Sequence, residues 1–138
     1  MAEAIGAVEW LAVAAATLAS YVLGALWFTP LFGRAWDASL GHDRAAHSGF
    51  GPLYYVAPLV GSALTTTATA LVLALAGVTG VGEAAVVGLV LGVGFGTAVT
   101  FVGAVNPRIP RPGLFTAVTG GYQAASAVLA AVVLAAWG

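Results

Sequence analysis

The sequence predicts an all-α integral membrane protein, a four-helix bundle with a short interfacial helix between helices 1 and 2. Three observations predict it. Charged residues make up only 7% of the 138 residues and hydrophobic residues 61%, with a mean hydropathy of +1.02. A soluble domain carries about 25% charged residues, and a chain this short has too few polar side chains to cover its large exposed surface. Four apolar segments have the length that crosses a hydrocarbon core of about 30 Å. All four cations are arginines, and they fall in two of the connecting loops.

The segments run over 7–28, 53–76, 84–105 and 114–137, in one transmembrane domain spanning 1–138. Helices are the form that satisfies backbone groups within each segment in lipid. Short alternating strands of a transmembrane barrel do not appear. The leader MAEAIGAVE has no positive residue and the apolar run behind it exceeds a signal core, so the first segment reads as a retained helix.

The stretch GALWFTPLFGRAW closes the first segment. Trp27, Phe28, Phe32 and Trp36 suit the headgroup zone, where an indole has an apolar edge and a partner for its N–H. Pro30 is expected to turn the chain, because it lacks a backbone donor. Leu31, Phe32, Ala35 and Trp36 then recur at helical spacing while Arg34 and Asp37 point elsewhere, which predicts a short helix lying on the membrane surface. Trp137 is a second expected interface anchor.

Arg34 and Arg44 lie between segments one and two; Arg108 and Arg111 lie between three and four. The positive-inside rule puts both loops in the cytoplasm and both termini outside, in the inner (plasma) membrane.

On the third segment Gly88, Gly92 and Gly96 stand four apart, a row that lets another helix approach closely, either within one bundle or between subunits of a homo-oligomer. Glu9 and Glu83 open the first and third segments, where the helix dipole favours a carboxylate; an acidic group near the membrane interior also marks proton or cation pathways. His42, Asp43 and His47 have too few ligands and the wrong spacing for a metal site. Ser39, Asp43 and His47 supply the residue types of a triad without a nucleophile elbow. In NPRIPRPG the prolines predict a rigid turn, and Asn106, Arg108 and Arg111 offer contacts for an anion such as a lipid phosphate. Tyr122, Gln123 and Ser126 form a polar patch at lipid depth; it bonds to neighbouring helices or lines a cavity with Thr65, Thr66 or Thr69. Each half of the chain runs from a glutamate through an apolar helix to a Pro-plus-Arg loop, a weak sign of duplication.

The series VEWLAV, LGALWFTPLFGRAW and GGYQAASAVLAAVVLAAW resembles a family of small bacterial membrane proteins, the domain of unknown function 1761. Its most specific part is met by Gly24, Trp27, Phe28, Pro30, Phe32, Gly33 and Trp36. The family often carries asparagine at the place of Glu9 and histidine at the place of Gln123, so it implies no proton role for those positions here. The resemblance implies four helices and no mechanism.

The residues therefore support two functions. One is a non-enzymatic protein that binds or transports a small molecule or lipid, acting as an oligomer. The other is a small membrane enzyme acting on a hydrophobic substrate, which needs Glu9, Glu83, His42, His47 or Tyr122 to converge. The candidate ligand-binding residues are Glu9, Trp27, Arg34, Trp36, Asn106, Arg108, Tyr122 and Gln123. Membrane lipids are the expected partners. The net charge of −1 lacks the basic face a nucleic acid requires. No cofactor is implied, and with no cysteine there is no thiol chemistry.

Overall fold

The computed structural model describes residues 1–43 and 49–137. The readings that rest on Arg44 and His47 lie outside the described residues. Among those residues the chain is helical without strands. A short helix, α1 (Ala2–Gly6), precedes the first span, α2 (Trp10–Leu31), and α3 (Gly33–Leu40) follows it. The remaining spans are α4 (Pro52–Ala76), α5 (Val81–Ala104) and α6 (Pro112–Trp137). These four are the helices, among the described residues, long and apolar enough to cross a membrane.

Local chemistry sets the ends. Glu9 has an extended backbone (φ −79°, ψ 98°) and holds α2 apart from α1. Gly77 takes a left-handed conformation after α4 (φ 67°), so its N–H bonds the Ala74 carbonyl and the Val78 N–H bonds that of Leu73. Pro112 starts α6, where a missing N–H costs nothing.

The chain does not turn at Pro30 as the sequence suggests. It continues to Leu31 through a wider π-helical turn, Trp27–Leu31, in which the Phe32 N–H reaches back five residues to the Trp27 carbonyl at 2.8 Å. That turn accommodates a residue without a donor. Two further π turns, Gly92–Thr97 in α5 and Thr116–Gly120 in α6, fall at or inside glycine-rich stretches.

On the surface helix it is the polar side that the protein covers. Leu31 and Phe32 are exposed, whereas Gly33, Asp37 and Ser39 of α3 are buried. α3 turns this polar side toward the loop before α6: the Arg111 N–H bonds the Ser39 carbonyl at 3.3 Å, and Pro110 packs against Gly41.

α6 touches all three other spans, while α4 and α5 scarcely meet. The interior has three levels. At the end where α2 and α5 begin, small aliphatic clusters join Val8, Val13 and Ala70, and Leu73, Ala84 and Ala131, with Leu134 beside both. Hydroxyls dominate the middle, where Thr17, Ser20, Ser62, Thr66, Thr69 and Ser126 are buried. Aromatic rings fill the far end. Large aliphatic side chains such as Leu11, Leu64, Val90, Val99 and Val102 face outward. This arrangement suits lipid, where small and hydroxyl-bearing residues pack helices and bulky apolar ones lose nothing by exposure. The first turns of α4, Pro52 through Gly61, are exposed throughout and stand clear of the other helices.

Candidate functional site

Because α4 and α5 diverge, a groove of about 480 Å³ opens between them with α6 as its floor. Thr65, Ala68, Val72, Phe95 and Val99 form an exposed rim; Thr69, Gly92, Gly96, Gln123, Ser126 and Ala130 lie deeper. Thr65, Gly92, Gly96, Gln123 and Ser126 sit near the middle of their spans, and Val72 and Val99 nearer the ends. The lining residues include no charged side chain.

Glycines shape the floor. A Cβ on Gly88 would lie 2.6 Å from the Ala127 carbonyl oxygen, and one on Gly92 would lie 2.7 Å from the Ala124 Cα. Such gaps force backbones apart, so α5 approaches α6 this closely only through glycine. At Gly96 the missing Cβ leaves room for Gln123, whose own Cβ would be 2.7 Å away. The glycine row thus packs against α6 of the same chain and props Gln123 at the groove.

Three of the groove hydroxyls are already committed as donors. Thr65 donates to the Gly61 carbonyl (3.0 Å) and that of Ser62 (3.1 Å), Thr69 to the Thr65 carbonyl (2.8 Å), and Thr100 to the Gly96 carbonyl (2.7 Å). A hydroxyl has one hydrogen, so their oxygens face the groove only as acceptors. Elsewhere in the hydroxyl layer, the Ser20 and Thr66 hydroxyls are fully buried and lack a hydrogen-bond partner.

Beside the groove's inner end, the motif of α2 locks onto the π turn of α6. The Trp27 indole N–H donates to the Val118 carbonyl at 2.9 Å, and Thr97 donates to the Gly120 carbonyl at 2.7 Å. The Tyr122 hydroxyl donates to the Ser20 carbonyl at 3.1 Å. Its phenol end occupies the space that a Cβ on Gly24 would need, and the Trp27 ring lies over Gly121. Phe28 bridges Tyr122 and Trp36 edge-on, with ring centroids at 5.1 and 5.4 Å. Trp27, Trp36 and Tyr122 therefore belong to one aromatic cluster. Trp27 finds its N–H partner in protein, the Val118 carbonyl, rather than needing one from a headgroup.

The other predicted site residues lie apart from it. Glu9 borders a separate cavity of about 530 Å³ with Val78, Thr79 and Leu134; it is some 18 residues from Trp27 on the same helix, about 27 Å at ~1.5 Å per residue. Asn106 is used in its own turn: its amide donates to the Gly103 carbonyl and its oxygen accepts from the Arg108 N–H at 2.9 Å. Arg34 and Arg108 are exposed at the end opposite Glu9. Among the described residues, no three His, Asp or Glu side chains are grouped to hold a metal. Sequence reasoning missed Thr97, the Val118 and Gly120 carbonyls and the burial of Asp37, and it took Thr100 only as an extension of the glycine row. Gly120-Gly121 inside an apolar run was the available signal for the carbonyls, since glycine there marks close contact.

A family described as Protein of unknown function (DUF1761) matches residues 11–135. The chain belongs to that family. No curated protein and no solved structure matches it. The DUF1761 match takes in nearly the whole of all four spans, the aromatic lock and the groove. This DUF1761 chain is a multi-pass membrane protein of unknown function.

Proposed function

We propose that this protein binds a lipid-like molecule within the membrane, in the groove between α4 and α5, without chemical transformation of it. The observation that carries this reading is a concave site at mid-span, open on the lipid side, with hydroxyls and one amide set among apolar walls. Its size falls within the range of about 300–1,000 Å³ usual for small-molecule sites. An enzyme has less support: Tyr122 lies far from Glu9 and Glu83, which stand at the end where α2 and α5 begin, and its hydroxyl is engaged with Ser20. A subunit contact through the glycine row also has less support, because α6 of the same chain fills it, so the binding unit proposed is one chain.

We further propose that the end bearing Arg34, Arg108 and Arg111 faces the cytoplasm of a plasma membrane, with Glu3, Glu9 and Glu83 at the outer end.

Native mass spectrometry of the protein, purified from its membranes in mild detergent, tests the binding reading. We expect a lipid-mass adduct on the wild type that is lost in Ala68→Phe, which plugs the groove from its exposed rim. An adduct that survives unchanged in Ala68→Phe, or no adduct on a folded wild type offered a total lipid extract, overturns it.

A further inference from the structure

We infer that the groove selects an uncharged amphiphile carrying a hydrogen-bond donor, of the long-chain alcohol type, and holds its hydroxyl near the bilayer midplane. The inference rests on the binding reading above and adds the chemistry of the ligand.

Donor accounting leads to it. Thr65, Thr69 and Thr100 each spend their only hydroxyl hydrogen on a carbonyl of their own helix. They lie on two of the three helices around the groove, and all three oxygens keep lone pairs for a ligand. Gln123 and Ser126, on the floor, have both donor and acceptor capacity. The sum is a site richer in acceptors than in donors. A ligand that only accepts, such as an ester or an ether, would meet mostly lone pairs. A hydroxyl donates to a threonine oxygen and accepts from the Gln123 amide.

Charge and depth restrict the class further. The lining residues carry no charge, and an ion at mid-membrane without a counter-charge is expensive. A carboxylate or phosphate head is therefore disfavoured, and such heads would seek the interface. An alkane gains nothing from the hydroxyls, since lipid tails already solvate it. A neutral alcohol gains a hydrogen bond that the surrounding hydrocarbon cannot offer.

The test uses photoactivatable probes in phosphatidylcholine vesicles containing the full chain: a long-chain primary alcohol, its methyl ether, and the parent hydrocarbon, each with a diazirine in the chain. Labelling is mapped by peptide mass spectrometry. The expected result is groove labelling by the alcohol about three- to tenfold above the ether, the range one net hydrogen bond contributes. Thr69→Val should remove that preference and Thr69→Ser should keep it; Thr65→Val, one turn away on α4, gives the same reading should Thr69→Val fold poorly. If alcohol and ether label the groove equally, or the ether labels more, the donor inference is overturned while lipid binding stands. If no probe labels the groove above the exposed face at Leu53 and Val56, the binding reading falls and the inference with it.

Discussion

The Trp27 indole N–H lies 2.9 Å from the carbonyl oxygen of Val118, bridging the π turns of α2 and α6. A π turn leaves backbone carbonyls poorly served within their own helix, and at lipid depth no water makes up the difference. Trp27→Phe keeps an aromatic ring and removes the donor. The expected cost is about 1 kcal/mol, seen as a lower midpoint of thermal unfolding in detergent. An unchanged midpoint would mean that the bond contributes nothing to stability.

Thr97 serves the neighbouring carbonyl, Gly120, at 2.7 Å. Thr97→Val is nearly isosteric and deletes the donor, whereas Thr97→Ser retains it. The valine variant should lose roughly 0.5–1.5 kcal/mol by denaturation in mixed micelles, and the serine variant less than half of that. A larger loss in the serine variant than in the valine variant would assign the effect to packing of the Thr97 methyl against Gly120.

The glycines of α5 provide an internal comparison. Gly88→Ala places a Cβ 2.6 Å from the Ala127 carbonyl oxygen, while Gly94→Ala meets nothing within 4 Å. Gly88→Ala should destabilise by about 1–3 kcal/mol through forced separation of the helices. Gly94→Ala should be neutral or stabilising, because alanine favours helix over glycine by up to ~1 kcal/mol. Midpoints from circular dichroism at rising temperature decide this, and the reverse order would place the wrong face of α5 against α6.

Orientation is tested by labelling. The chain has no cysteine, so one introduced at Gly49, in the first arginine-bearing loop, reports alone. An impermeant maleimide should label it only after cells are opened. Labelling in intact cells would invert the proposed topology.

The four spans were legible because composition and segment length are one-dimensional signals; the span 52–76 differs from its expected start by a single residue. The glycine spacing on α5 was legible for the same reason, since it repeats on one helix face. The partner of that face was not, because nothing local tells α6 from a second copy. The aromatic motif hid more. Its spacing showed a helix end, but the Val118 carbonyl that receives Trp27 lies 91 residues away. Pro30 misled because a π turn relieves the constraint proline imposes on an α-helix. Asp37 stands out in the sequence only as lying off the apolar stripe, whereas the fold buries it. Gln123 stands out in the sequence as a polar residue at lipid depth; that Gly96 makes its place is recognisable only once α5 and α6 lie together.

The last prediction separates tryptophans that meet lipid from those that meet protein. Trp10 and Trp137 are 58% and 51% exposed at the end where α2 begins and α6 finishes, and an indole there suits the interface. Trp27 is half-buried, with Phe32 at 4.6 Å, Tyr122 at 6.4 Å and its N–H held by Val118. Variants keeping a single tryptophan, with phenylalanine at the other three positions, isolate each ring. In vesicles of lipids brominated at graded depths, Trp10 and Trp137 should be quenched strongly by the shallow bromines. Trp27 should be quenched weakly at every depth, because bromine acts at contact and two aromatic neighbours and α6 occupy much of its surface. Its emission should also be insensitive to added acrylamide. The variant that keeps only Trp27 retains the Val118 bond, so poor folding is less of a risk there than in the others, and circular dichroism checks each one first. If Trp27 is quenched as strongly as Trp10 by shallow bromines, it is an interface anchor after all. The lock between α2 and α6 would then be absent from the membrane-bound protein.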